Sequence, residues 1–207
     1  MFKVKEKKER ALGAKLFLKA ERCNSQKCAT IRRPYKPGDH GKSRRRPLSE
    51  YGQQLQEKQK IRFTYGVSEK NLRRIFSKAA KSTGVTGETI FAILEKRLDN
   101  VIYRLGFAAS RSVARQLVSH GHFLVNGRKT TIRSYEVKVG DVISIRPQSH
   151  KHPLFQELPI TLKKYETPVW LKLDVDKLEG KVAMQPKDFE MTFNINLVVD
   201  YYSKISK

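Results

Sequence analysis

Four times between residues 49 and 121 an apolar, helix-period stretch opens on a hydroxyl residue and closes on glycine: Ser49 to Gly66, Ser68 to Gly84, Thr86 to Gly106 and Ser110 to Gly121. A hydroxyl side chain ahead of a helix accepts from the unpaired N–H groups of its first turn, and a glycine behind it ends the ladder. The punctuation predicts four consecutive helices. In the first, running to about Tyr65, Tyr51 and Leu55 fall on one side and Lys58, Lys60 and Arg62 on or near another. In the second, Leu72, Ile75, Phe76, Ala79 and Ala80 keep the i, i+3, i+4, i+7, i+8 spacing of a helix buried along one stripe. The third is predicted as one continuous helix from Thr86 to Leu105, apolar at Ile90, Ile93, Leu94, Leu98, Val101, Ile102 and Leu105. Its exposed positions include Lys96, Arg97 and Arg104.

After Gly121 the period changes from helical to two. Phe123, Leu124 and Val125 run into Asn126-Gly127, the strongest short hairpin signal, and Arg128 and Lys129 begin the return. Val137, Val139, a Gly140-Asp141 turn and a strand through Val142, Ile143 and Ile145 complete a small sheet. Helices beside a short antiparallel sheet make an α+β chain.

The segment before the helices is of another kind. Lys27 to Pro47 holds three prolines, two glycines and eight basic residues against one acid. Pro34, Pro37 and Pro47 forbid a regular helix, and Gly38 and Gly41 around Asp39 and His40 mark turns, so an extended basic loop is expected. Charge here reflects the whole chain, whose 207 residues carry 43 Lys and Arg against 20 Asp and Glu, a net charge of +23. Residues 1–62 alone hold 19 basic and 6 acidic side chains, whereas residues 157–207 balance at 8 and 8. Such an excess repels itself unless a polyanion compensates it.

The composition narrows the partner. A mean hydropathy of −0.58 and the lack of an uncharged apolar stretch of roughly 18 residues lead us to expect a soluble chain without membrane partners. Cys23 and Cys28 are too few for a disulfide framework, so a reducing compartment is expected, and Met1 to Arg10 carries no address signal. No zinc-finger spacing or recognition helix points to DNA. Arg111 and Arg115 lie four apart on one face of the fourth helix with Ser119 close by. Guanidinium forks on one face suit phosphate oxygens, and with Arg128 and Lys129 they form a basic surface fitted to the irregular backbone of folded RNA. An enzyme is not expected: there is no Gly-rich phosphate loop or nucleophile triad, and Asp174, Asp176 and Glu179 read as solvated charges.

The stretch RLDNVIYRLGFAASRSVARQLVSHGHFLVNGR, followed by VKVGDVISI, resembles a small RNA-binding module found in a ribosomal protein, pseudouridine synthases, tyrosyl-tRNA synthetases and a heat-shock ribosome-recycling factor. The flanks RRPYKPGDHG, LSEYGQQLQEKQKIRFTYGVSEKNLRRIF and LEKRLDNV, with the ending NLVVDYYSK, extend the likeness over nearly the whole chain. Together they resemble the family of bacterial-type ribosomal protein four of the small subunit.

That resemblance implies a structural protein of the cytoplasmic ribosome, without catalytic residues. It binds the 5′ domain of small-subunit rRNA early in assembly, sits near the mRNA entrance beside ribosomal protein five, and influences decoding accuracy. It implies a basic region over residues 1–47, a helical domain over 48–94 completed by 157–207, and the module inserted between them over 95–156. The balanced tail, with Trp170, Leu171, Leu173, Val198, Val199 and Tyr201, is then core and protein contact. The RNA-binding residues expected are Arg32, Arg33, Lys42, Arg44, Arg45 and Arg46 in the loop, and Lys58, Lys60 and Arg62 in the first long helix. In the module they are Arg97, Arg104, Arg111, Arg115, Ser119, Asn126, Arg128 and Lys129. Some members hold zinc on four cysteines; here Cys23 and Cys28 match one pair, but Glu6 and Glu9 stand where the other is expected, so no cofactor is expected. The competing reading is a stand-alone RNA-binding stress or ribosome-recycling factor, which needs neither the N-terminal basic track nor the aromatic tail.

Overall fold

In the computed structural model of the chain, Ser49 Oγ accepts from Gly52 N (3.2 Å), Ser68 Oγ from Asn71 N (3.3 Å) and Ser110 Oγ from Val113 N (3.4 Å). Three of the four expected helix starts are therefore capped by the hydroxyl the sequence supplies. Residues 5–43, 47–187 and 193–205 are described. The chain is α+β and divides into two units, Met1–Ile90 with Glu190–Lys207, and Phe91–Phe189.

The first unit is helical. Short helices α1 (Lys5–Leu12), α2 (Ala20–Asn24) and α3 (Ala29–Arg32) precede the long α4 (Glu50–Thr64) and α5 (Glu69–Ala80); α6 (Thr86–Glu95) spans the division between the units. The C-terminal helix, α11 (Ile195–Ile205), packs on α4 and α5. Val198, Tyr201 and Tyr202 on it are buried, as are Ile61, Leu72 and Phe76 on the helices it meets, and the Phe76 and Tyr202 rings lie 5.0 Å apart. The Tyr202 hydroxyl donates to Glu69 Oε1 (2.9 Å), and burial, followed by this bond, pushes its titration far above the ordinary phenol range.

The basic loop is ordered where it is described. Arg10 Nε donates to the carbonyls of Arg33 (3.1 Å) and Tyr35 (3.0 Å), and its guanidinium lies over the Tyr35 ring. A Cβ at Gly41 would fall 2.1 Å from the Lys36 carbonyl oxygen, so only glycine lets the chain close this turn. Arg44, Arg45 and Arg46 lie outside the described residues.

In the second unit α7 (Leu98–Arg104) packs on α8 (Arg111–His120) beside a five-stranded antiparallel sheet of order β2-β1-β3-β5-β4. The strands are β1 (Phe123–Val125), β2 (Arg128–Lys129), β3 (Val142–Ile145), β4 (Leu171–Asp174) and β5 (Glu179–Val182). Asn126 and Gly127 both take positive φ (50° and 76°), as a two-residue hairpin turn requires. Two short helices, α9 (Pro153–Gln156) and α10 (Leu158–Leu162), lie between β3 and β4. Leu105, Phe107, Val118, Phe123, Ile143, Phe155, Trp170 and Val182 share one core.

Two expectations are corrected. The continuous helix from Thr86 to Leu105 breaks at Lys96-Arg97, because residues 133–137 cross it: Leu98 N donates to Tyr135 O (2.8 Å), Asp99 N to Arg133 O (3.2 Å) and Val137 N to Lys96 O (2.9 Å). Backbone donors that would have continued the helix are taken by that strand-like crossing. The helical domain was also expected to regain the whole of 157–207. Instead β4 and β5 join the module's sheet, Ser144 pairing with Glu179 and Ile143 with Gly180, so Trp170 and Leu171 belong to the second unit's core and, among the described residues of that stretch, those from Phe193 onward belong to the first.

The packing generates two predictions. An ideal Cβ on Gly180 would sit 2.3 Å from Leu105 Cδ1, and Leu105 is fully buried. Gly180→Ala should lower unfolding free energy by about 1–3 kcal/mol in urea titration, and by less in a Leu105→Ala background, where the space exists. His122 is edge-on to His152 and Phe155 and bonded through Nδ1 to Ser149 Oγ (3.0 Å). Burial, then the neighbouring His152, His120 and Arg146, push its pKa below the ordinary 6.5. The unfolded chain then binds the proton more readily, so stability should fall as pH drops through about 6.5, with a shallower slope in His122→Gln.

Candidate nucleic-acid interface

On the second unit the expected cations do not stand as independent side chains. Glu95, the last residue of α6, is 2% exposed, and its carboxylate receives Arg104 along one edge, Nε at 3.0 Å and Nη2 at 3.1 Å. It also accepts from Asn100 Nδ2 (2.9 Å). Asp99, again 2% exposed, receives Arg97 through Nε (3.0 Å) and Nη2 (2.9 Å) and Arg115 through Nε (3.1 Å) and Nη2 (2.9 Å). Arg111 Nε donates to Asn100 Oδ1 (2.7 Å) while its guanidinium lies over the Tyr103 ring, 4.5 Å from the centroid. Arg111 and Arg115 do share one face of α8, and the consecutive residues Asn100 and Asp99 on α7 each take one of them.

The remaining module residues divide. Arg97 is 7% exposed and committed to Asp99, which removes it from the candidate surface. Arg104 and Arg115 keep 30% and 23% of their side chains exposed. Arg128 and Lys129 lie exposed on the edge strand β2. Ser119 Oγ donates back to the Arg115 carbonyl (3.0 Å). Asn126 closes its own turn: its Nδ2 donates to Asp141 Oδ1 (2.8 Å) and its Oδ1 accepts from Val142 N (2.9 Å).

On the first unit a cavity of about 480 Å³ is lined by six cations, Lys7, Arg10, Arg22, Lys27, Arg32 and Arg33. Its single acid, Glu6, forms an ion pair with Arg22, Nε lying 2.9 Å from Oε1. Lys42 is exposed, with its ammonium 5.2 Å from the centre of the Tyr35 ring. The long helix behaves otherwise. Lys58, 4% exposed, donates to Glu69 Oε1 (2.9 Å) and the Tyr201 hydroxyl (3.2 Å), so it ties α4 to α5 and α11 and is no surface cation. Lys60 pairs with Glu57 (2.6 Å), and Arg62 donates to Gln59 Oε1 (3.2 Å) and lies 3.8 Å from Glu69.

Sequence reasoning missed Lys7, Arg10, Arg22 and Lys27 in the cavity, and Glu95, Asp99 and Asn100 behind the arginines. For the acids a signal existed. Residues 95–156 hold four, and three of them, Glu95, Asp99 and Asp141, are buried. In so basic a stretch a carboxylate is better placed holding a cation than facing water.

The four positions compared with a zinc site do not assemble as a donor set. Glu9 is fully buried, and its Oε1 accepts from Leu16 N (3.0 Å) and Leu18 N (3.2 Å), while Glu6 is taken by Arg22. Cys23 Sγ stands 3.9 Å from Glu9 Oε1, its thiol pushed up chiefly by burial; Cys28 Sγ lies 2.9 Å from Thr30 Oγ1. Among the described residues no group of three or more His, Cys, Asp or Glu is arranged to hold a metal.

The family described as ribosomal protein S4/S9 N-terminal domain matches residues 3–95, and the S4 domain family matches residues 96–143. The chain is 52% identical over 194 residues to small ribosomal subunit protein uS4 of Caldicellulosiruptor bescii, covering 93% of both chains. It is 50% identical to the uS4 protein of Halothermothrix orenii and to uS4A of Clostridium novyi, again over 93% of both chains. With two family matches meeting between Glu95 and Lys96, inside the buried-acid cluster that orders its arginines, and relatives aligned over almost its full length, the chain belongs to the small ribosomal subunit protein uS4 family.

Proposed function

We propose that the chain is a structural protein of the small ribosomal subunit that binds the 5′ domain of its rRNA early in assembly. The observation that carries this reading is the cavity of the first unit, where six cations from α1, α2, α3 and the residues beside them surround one paired acid. Charge of that density in a fixed concavity is compensated by phosphates, and the exposed cations of the module offer further contacts. Recognition is through backbone and shape, since neither surface projects a helix built to read a groove. Membership of the uS4 family supports the finer parts: residence in the cytoplasmic ribosome near the mRNA entrance, contact with ribosomal protein five of the same subunit, and an influence on decoding accuracy. No residue is assigned a catalytic role.

The test is the salt dependence of binding to a transcript of the 5′ domain. Neutralising on the order of 5 to 8 phosphates should give a log-log slope of about −5 to −7, and a flat response would sink the reading. Replacing Arg32 and Arg33 together by Ala should weaken binding about ten-fold or more and make the slope shallower by about 1 to 2, with the circular dichroism spectrum unchanged. The protein should also stay on the small subunit through a high-salt wash that strips loosely bound factors.

A further inference from the structure

We propose that the buried Glu95, Asp99 and Asn100 are positioning residues for RNA binding: they hold Arg104, Arg115 and Arg111 in fixed orientations, so that removing negative charge here weakens the grip on RNA. The inference rests on the rRNA-binding reading and adds to it the residues that set the geometry of the module's contact.

The placement of the acids poses the question. An RNA-binding surface gains from every carboxylate it lacks, yet two acids stand directly beneath its arginines. Glu95 engages the Nε and Nη2 edge of Arg104 with both its oxygens, the bidentate geometry that fixes the plane of the group and not merely its position, while Arg115 brings Nε and Nη2 together onto the single oxygen Asp99 Oδ2. The third arginine is fixed in two ways, by Asn100 Oδ1 at 2.7 Å and by the Tyr103 ring. A long, exposed arginine has many rotamers to lose on meeting a phosphate. Here that ordering has already occurred in folding, so binding does not bear it again.

Packing alone does not require this arrangement. Asp99 with Arg97 is a buried ion pair that fastens the start of α7, and one partner suffices for that. The same carboxylate also takes Arg115 from α8, and Glu95 takes Arg104, leaving both arginine side chains partly exposed. The carboxylates lie on the buried side of the groups they hold, where bound RNA meets the arginine first.

The sign of the effect separates this from simple electrostatics. Glu95→Gln raises the net charge by one from +23, which on charge alone tightens binding to a polyanion. Positioning requires the opposite: affinity for the 5′-domain transcript about three- to ten-fold weaker, expressed as faster dissociation with association no slower. In an Arg104→Met background the added loss on Glu95→Gln should vanish, because the side chain it positions is gone. A purely structural role lowers the unfolding midpoint but leaves affinity, measured well below that midpoint, unchanged or tighter in both backgrounds.

Asn100→Ala gives the same reading without a change of charge and stands in should Glu95→Gln fail to fold; it should weaken binding by a similar factor and lose that effect in Arg111→Met. Equal or tighter binding by the folded variants overturns the inference while leaving rRNA binding intact. Salt-insensitive binding by the unaltered protein overturns the rRNA reading itself.

Discussion

Carboxylates withdrawn from water hold together the parts of this strongly basic chain. Glu9 is fully buried and gathers the backbone N–H groups of Leu16 and Leu18; Glu69, partly exposed, takes the buried Lys58 and the Tyr202 hydroxyl where α4, α5 and α11 meet. Glu95, Asp99 and Asp141 do the same in the second unit, the last by joining the Asn126 turn to the backbone N–H of Lys138. With 20 acids against 43 bases, a carboxylate left in solvent offsets little, whereas one held against a guanidinium in a low-dielectric site acts at close range. These carboxylates are consequently part of the scaffold.

The distinction between carrying charge and presenting it follows. Lys58 and Arg97 add to the net charge as fully as Arg128 does, but they are enclosed by their partners, and a phosphate reaches neither. Arg10 is intermediate: it lines the cavity of the first unit while its Nε holds the carbonyls of Arg33 and Tyr35. It shapes the loop that carries the neighbouring cations as well as contributing its own.

The limits of sequence reading here have a physical origin. Signals carried by adjacent residues were legible: the Ser49, Ser68 and Ser110 caps, the Asn126-Gly127 turn and the apolar stripe of α5 appear where local chemistry puts them. Long-range pairing was not. The break between α6 and α7 is dictated by carbonyls of residues 133–135, more than thirty positions away, while the apolar period runs through it undisturbed. Likewise nothing near Glu179 announces that its strand pairs with β3. At the candidate interface the arginines of α8 were visible as a spacing of four, but their acceptors lie on another helix, and Lys58 on α4 looks like any other surface lysine.

The pairing of β3 with β5 bears on what counts as a portable module. The S4 domain match ends at residue 143, within β3, whose next hydrogen-bonded neighbour is contributed from residues 179–182. The recurring unit thus stops at an open sheet edge, which in isolation offers a row of unpaired amides and carbonyls to any extended chain. This protein covers it with its own later strand. A chain made of the matched residues alone would leave β3 bare along that border, so the later strand is as much a part of this sheet as the shared core.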